Sequence, residues 1–429
     1  MTLLSSLSEW IGERTGTVIM IPHPTMIGNC AEQIYHGFLK ARREKKKLAL
    51  LFQYPLPWPS NFRLTNHELL NIESDYRAFP SSSPWYFIGN VFVTAYVAVS
   101  RALNLITRRL GRPISDRDIY PCIGHTALWQ PKETMPGFSN DIVAGYDWPA
   151  QMRSRLPVYL EAQKRETALL ARTRMGLPEE AWFVCVHVRE SGFHNDTMAE
   201  RNASILNYVE AINEVTSRGG WVVRLGDPTM TRLPPMERVI DYPFTLSRSP
   251  LMDLYLISEC RAYIGMQSGI LDIASLFQRP IILTNMASWL YPLTAKIGDM
   301  GVLKHVYSKS KRRFLSVREW MSEPFAAVSF FALGEDYELC ENDPEELRQV
   351  VREYLDRDGN TEPTLLQREC YELQQLRGMT MIQEPIIKDN PYNDLHNRYR
   401  IACRLVSSGV MISDAYLRQN WECDARVHA

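Results

Sequence analysis

Four short stretches carry side chains suited to gripping phosphate. Residues 187–190 read His-Val-Arg-Glu and end an apolar run, and 226–230 read Gly-Asp-Pro-Thr-Met. Residues 265–269 read Gly-Met-Gln-Ser-Gly and lead into an apolar segment, and 284–285 are Thr-Asn. Arg189 offers a planar fork of N–H donors that matches a diphosphate. In the 265–269 stretch, Gly265, Gln267, Ser268 and Gly269 sit where a strand turns into a helix. Small residues there let backbone N–H groups reach an anion, helped by the positive helix start, and Ser268 adds a hydroxyl donor. Structural roles compete at each place. The 265–269 stretch also fits a tight turn alone, and Asp227 suits capping its own loop as well as a ribose or base. His187 shares a strand face with Cys185 and Arg189, which favours a hydrogen-bonded structural residue over a general base. Asn285 ends an apolar strand on the same edge.

These residues share one rim only if particular elements carry them there. Apolar runs at 182–188, 221–226, 238–242, 261–266 and 280–285 read as strands, separated by helical patterns at 203–217, 251–260 and 269–277. In the 203–217 segment Ile205, Tyr208, Ile212 and Val215 recur at helical spacing. Strands alternating with helices at this interval predict a parallel, doubly wound α/β sheet, whose ligands bind beyond the carboxyl ends of the strands. Upstream, 16–22 and 47–52 read as strands flanking a loop at 23–29 and a helix at 30–43, a second Rossmann-like opening. The proline-rich 54–60 stretch must be irregular. Helices are expected at 66–78, 84–110, 150–174, 343–357, 363–377, 392–405 and 411–421, with Asn342 or Asp343 capping the first one after residue 330.

Bulk properties narrow the class. A chain of 429 residues exceeds what one core usually accommodates, so two domains are expected. Lys and Arg number 48 against 49 Asp and Glu, and this balance argues against a nucleic-acid partner. The eight cysteines are scattered without a C-x-x-C pair, which argues against a zinc site or disulfide framework. Together with an N-terminus that lacks a basic segment and a long apolar core, they predict a cytoplasmic protein, at most peripheral to an inner membrane. Residues 85–99 are nearly continuously apolar but fall short of the roughly 20 residues of a spanning helix. They read first as a buried domain helix, and second as a surface that meets a membrane or a protein partner.

The order of these motifs resembles the fucosyltransferase-like GT-B superfamily. His187-Val188-Arg189 looks like its H-x-R motif, residues 251–277 like its later helix, strand and Gly/Ser turn, and Met26-Ile27-Gly28-Asn29 like its N-terminal glycine loop. Residues 180–300, with 201–230 most characteristic, are closer still to a family of bacterial glycosyltransferases of poorly defined specificity. Thr25 and Cys30 depart from the N-terminal motif, Glu190 from the residue that often follows H-x-R, and Gly269 from a second Ser or Phe. The resemblance therefore carries the fold further than the sugar.

The resemblance implies two Rossmann-like domains facing a cleft, 1–175 on the acceptor side and 176–330 on the donor side, with a C-terminal helical extension over 331–429 packing back on both. It implies inverting transfer of a sugar from a nucleotide-sugar, GDP-fucose foremost, to a glycan, protein or lipid-linked acceptor. Arg189 would contact the donor's β-phosphate and steady the departing nucleotide, with His187, Asp227, Gly265, Gln267, Ser268, Gly269 and Asn285 lining the donor. Glu190 is the candidate general base, followed by Asp196 and His194, and its structural alternative is a salt-bridged loop carboxylate. Gly28 and Asn29 would face the cleft. No cofactor is implied. No metal is required either, because no D-x-D ends a convincing strand and Asp116-Arg117-Asp118 lies in an irregular region. Two other classes fit the same architecture: a nucleotide-sugar epimerase, and a non-catalytic carbohydrate-binding or scaffold protein.

Overall fold

A computed structural model describes residues 10–22, 27–52, 54, 66–80, 82–112, 156–190, 201–287, 298–322, 336–381 and 411–422. The chain divides into two compact units. The first comprises Met1–Tyr146, Arg155–Arg165 and Leu276–Gln278, and the second Asp147–Ser154, Glu166–Ser275 and Arg279–Ala429. The described residues after 331 thus belong to the second unit.

In the first unit β1 (Thr17–Met20) leads through α1 (Ile27–Arg43) to β2 (Lys47–Leu50), which pairs with β1 in parallel. Helix α1 buries Ile34, Phe38, Leu39 and Ala41 and ends on Lys40, Arg42 and Arg43, cations that suit the negative end of its dipole. It starts at Ile27, so Gly28 and Asn29 lie in its first turn and not in a preceding loop. The helix expected over 66–78 is absent. Asn66 accepts the Glu68 N–H and caps a single 3-10 turn, His67–Asn71. The chain then extends into β3 (Ile72–Glu73) and β4 (Arg77–Ala78), turning between them where Ser74 Oγ accepts the Tyr76 N–H. Short side chains that compete for backbone N–H groups break helical continuity at both points. β4 extends the first sheet in the order β1-β2-β4.

Helix α2 (Pro84–Arg109) opens on the Ser83 cap with Pro84 in its first turn. It corrects the expectation of a buried helix over 85–99. Only Tyr86, Asn90, Val93 and Val97 are buried, whereas Trp85, Phe87, Ile88, Val91, Phe92 and Val99 are between 45% and 64% exposed. Apolar content shows that a face seeks cover without showing that the domain supplies it. The contact face is held by two hydrogen bonds. Asn90 Oδ1 accepts the Phe52 N–H at 2.8 Å, and Thr94 Oγ1 accepts the Tyr54 N–H at 2.7 Å.

After β5 (Tyr159–Leu160), which pairs antiparallel with β3, α3 (Ala162–Arg174) leads into the second unit. The described part of the helix expected over 150–174 is therefore shorter than predicted. The second unit's strands are β6 (Phe183–His187), β7 (Trp221–Arg224), β8 (Val239–Asp241), β9 (Ala262–Gly265), β10 (Ile281–Met286), β11 (Met300–Leu303), β12 (His305–Ser308), β13 (Arg313–Phe314), β14 (Tyr337–Cys340) and β15 (Met411–Ile412). Seven of them form one sheet in the order β15-β11-β10-β9-β6-β7-β8, every pair parallel. β6, β9 and β10 are buried at every residue, as parallel strands covered on both faces must be. The crossovers are α4 (Val209–Ser217, preceded by a 3-10 turn at Ile205–Tyr208), α5 (Pro250–Glu259) and α6 (Gly269–Leu276).

Between 300 and 340 the sequence predicts no elements, yet β11 joins the main sheet, and β12, β13 and β14 form a small antiparallel sheet near α7 (Val317–Ser322). The expected helix after residue 343 is α8 (Pro344–Arg357), closed by a capping box in which Asp343 and Glu346 satisfy each other's backbone N–H groups. Next come α9 (Leu365–Met381), β15 and α10 (Asp414–Asn420). The helix expected over 392–405 and Asp116-Arg117-Asp118 lie outside the described residues. Glu214 of α4 accepts from Arg218 at 2.7 Å and from Arg352 of α8 at 2.9 Å. Glu353 of α8 accepts the N–H groups of Asp414 and Ala415, which docks α10 and places β15 against β11.

Candidate functional site at the centre of the parallel sheet

The strand order has one reversal. From β6 the chain steps outward to β7 and β8, then returns to the other side of β6 and lays down β9, β10 and β11. In an open parallel sheet this reversal leaves a crevice at the carboxyl ends of the two central strands. Here those are β6 and β9, which pair His187 with Gly265 at their last rungs.

His187, Arg189 and Ser268 all stand at that crevice. His187 is 5% exposed, and its Nδ1 lies 3.2 Å from Ser268 Oγ, which joins the two strand ends. Burial, helped by the positive charges of Arg224 and Arg189 and opposed by Asp227, pushes the imidazole down from 6.5 to about 4. It is therefore neutral at pH 7 and too weak a base to keep a proton. Arg189 follows directly on the strand end and is half-buried, and its carbonyl accepts the Ala203 N–H at 3.0 Å. Gly265 is required by close approach. A Cβ there would come within 2.6 Å of the His187 carbonyl oxygen and 2.8 Å of the Tyr263 hydroxyl. Gln267 is buried in the turn, and Gly269 opens α6.

The remaining candidates are tied to protein partners. Glu190 Oε2 accepts the Thr231 N–H at 2.6 Å, and Oε1 lies 3.9 Å from the guanidinium of Arg224. Arg224 is fully buried. It donates to Asp241 at 3.1 Å and to the Thr231 carbonyl at 3.0 Å, while the other Asp241 oxygen accepts the Leu233 N–H. This ion network fixes the loop after β7. Asp227 lies in that loop and accepts the Thr229 N–H at 2.8 Å, the geometry of a self-capping turn. Asn285 is 2% exposed and has φ of 50°. Its backbone N–H donates to Asn342 Oδ1 at 2.9 Å, its Oδ1 accepts the Asn342 N–H at 2.8 Å, and its Nδ2 donates to the Tyr208 hydroxyl at 3.0 Å. That hydroxyl lies 2.6 Å from Thr284 Oγ1, which donates to the Gly265 carbonyl. Asn285 thus supports the 265–269 turn from behind.

Two cations at the site carry no sequence signal. Arg201 Nε donates to the Gln267 carbonyl at 2.9 Å, and Lys304, 2% exposed, donates to the Asn202 carbonyl at 2.7 Å. Both acceptors are backbone oxygens far away in sequence, which no side-chain motif encodes. His194 and Asp196 lie outside the described residues. Gly28 is buried at the start of α1 in the first unit. Among the described residues no group of three His, Cys, Asp or Glu side chains is placed to hold a metal ion.

No protein-family model matches the chain, and no curated protein matches it. Among solved structures it is similar to a glycosyl transferase family 9 protein from Veillonella parvula DSM 2008, at 12% identity over 62% of this chain and 79% of that one, with a TM-score of 0.33. It is also similar to the E. coli ADP-heptose lipopolysaccharide heptosyltransferase II, at 15% identity over 62% and 83% of the two chains and a TM-score of 0.33. A Methanocaldococcus jannaschii UDP-GlcNAc 2-epimerase matches at 14% identity over 66% and 64%, with a TM-score of 0.22. None of the three is a fucosyltransferase.

Proposed function

We propose that this chain is a GT-B glycosyltransferase that holds the diphosphate of a nucleotide-sugar donor in the crevice between the ends of β6 and β9. The observation that carries the reading is the coincidence of the sheet's reversal point with a phosphate-compatible set. Arg189 stands on one strand end, and Ser268 and the start of α6 stand on the next, bridged at 3.2 Å by His187. Glycosyl transfer builds negative charge on the departing diphosphate, and fixed donors aimed at that charge lower the barrier. Arg189 supplies a guanidinium and Ser268 a hydroxyl, while the first N–H groups of α6 supply the helix dipole. Neutral His187 positions Ser268 without competing for protons.

In the bond change, an acceptor hydroxyl oxygen attacks the anomeric carbon as the bond from that carbon to the phosphate oxygen breaks. The hydroxyl proton passes to a base, for which Glu190 is proposed once it releases the Thr231 N–H. Gln267, held from behind by Arg201, shapes the turn. Asp227 contacts the nucleoside, and Asn285 and Gly265 keep the turn in place. The acceptor is a glycan, protein or lipid-linked sugar, and no divalent metal is invoked. The His187-Val188-Arg189 motif makes an inverting transfer from GDP-fucose the first reaction to assay.

The test is a thermal-shift screen with GDP-, UDP-, ADP-, CMP- and dTDP-sugars in the presence of EDTA. A ligand at a hundredfold its Kd stabilises the native state by about 2.7 kcal/mol. One nucleotide class should raise the melting temperature and support transfer to an acceptor. A flat response to every class refutes the reading, and conversion of the donor without acceptor identifies an epimerase.

A further inference from the structure

Helix α2 presents a face that the first unit does not cover. Its contact stripe, Tyr86, Asn90, Val93 and Val97, is buried, and the opposite side carries Ile88, Phe92, Val99, Leu103 and Ile106, which recur at spacings of three, four and seven residues and are 47% to 60% exposed. Trp85 stands at its N-terminal end, 64% exposed. Charge is one-sided as well. From Tyr76 to Ser115 there is no Asp or Glu, while Arg108, Arg109 and Arg112 crowd the C-terminal end of the helix. By length and composition the helix could cross a bilayer. However, Asn90 and Thr94 accept backbone N–H groups of Phe52 and Tyr54, the residues that follow β2. A helix tied along one side to a folded sheet cannot thread through a lipid core without breaking those bonds. It can lie flat.

We propose that α2 is an interfacial helix that docks this protein on an anionic phospholipid surface. The exposed stripe enters the boundary between headgroups and acyl chains, with Trp85 at headgroup depth, and the arginines at its end meet lipid phosphates. A second copy of the chain is the competing occupant. Parallel pairing would bring the same arginine clusters together, and antiparallel pairing would set them against a helix with no Asp or Glu, so charge complementarity favours lipid. The inference stands independently of the donor site, since it concerns a different unit and a different ligand.

The test is flotation of the full-length chain with vesicles of phosphatidylcholine alone and of equal parts phosphatidylcholine and phosphatidylglycerol. The chain should float with the anionic vesicles, weaken at high salt, and be released at alkaline pH without detergent. Phe92→Asp with Ile106→Asp should abolish flotation and leave the melting temperature unchanged, because both side chains are exposed. Replacing Arg108, Arg109 and Arg112 by Gln should lower partitioning about a hundredfold, at about fivefold per arginine. Three outcomes overturn the proposal: no flotation with anionic vesicles, release only by detergent, or a dimer in solution that Phe92→Asp dissociates.

Discussion

The ends of β6 and β9 and the end of β10 belong to the same rim of one sheet, yet their polar residues are spent differently. At the end of β10, Asn285, Asn342, Tyr208 and Thr284 satisfy one another with hydrogen bonds of 2.6–3.0 Å. At β6 and β9, Arg189 and Ser268 are half-buried, and the neutral His187 holds Ser268 in place. The first arrangement fixes backbone, and the second joins two strand ends beside a guanidinium and a hydroxyl. Position on a rim is therefore not enough to assign a binding role. What counts is what a side chain's hydrogen bonds hold in place.

Substitutions should separate the two regions. The largest effect is expected from Arg189→Ala, which should lower turnover per folded molecule by about a thousandfold, the cost of removing a donor to a developing oxyanion. Full turnover would remove Arg189 from the chemistry. Asn285→Ala should do the reverse. It strands the Asn342 N–H and places alanine at a φ of 50°, so chemical denaturation should show a loss of about 3 kcal/mol while turnover per folded molecule stays near the parent value. An unchanged midpoint would mean that the internal latch contributes little.

Acid should act through His187. Its folded value of about 4 lies below the ordinary 6.5, so between these the unfolded chain binds a proton that the folded chain refuses. Stability should fall as pH drops from 6.5 towards 4, by up to about 3 kcal/mol, and His187→Gln should flatten that limb. If both proteins show the same acid limb, another group is responsible. Glu190→Gln is the smallest of the four. Its carbonyl can still accept the Thr231 N–H, so the fold should persist and turnover fall by about a hundredfold if Glu190 takes the acceptor's proton. A rate near the parent's would leave Glu190 as the anchor of Arg224 alone.

Much of the second unit was legible because strands covered on both faces read as unbroken apolar runs. Phe183–His187 and Ile281–Met286 needed nothing else. That His187 and Ser268 share an edge followed from the parallel pattern, but that β6 and β9 are neighbours did not, since strand order is a long-range choice. The 300–340 strands were hidden by their brevity and by the half-exposed pattern of β12. Arg201 and Lys304 were hidden because they grip backbone carbonyls. Asn285 was visible as a polar strand end, and only its partners, brought from Tyr208 and Asn342, show which way it turns.

One outer strand of the main sheet, β15, is supplied by Met411–Ile412, long after β11 is laid down at Met300–Leu303. During synthesis on a ribosome, β11 would remain an open edge while everything between them emerges, offering unpaired amides to any passing chain. Protein clipped ahead of Met411 should keep its crevice residues yet be prone to aggregate, because β15 is what covers the β11 edge.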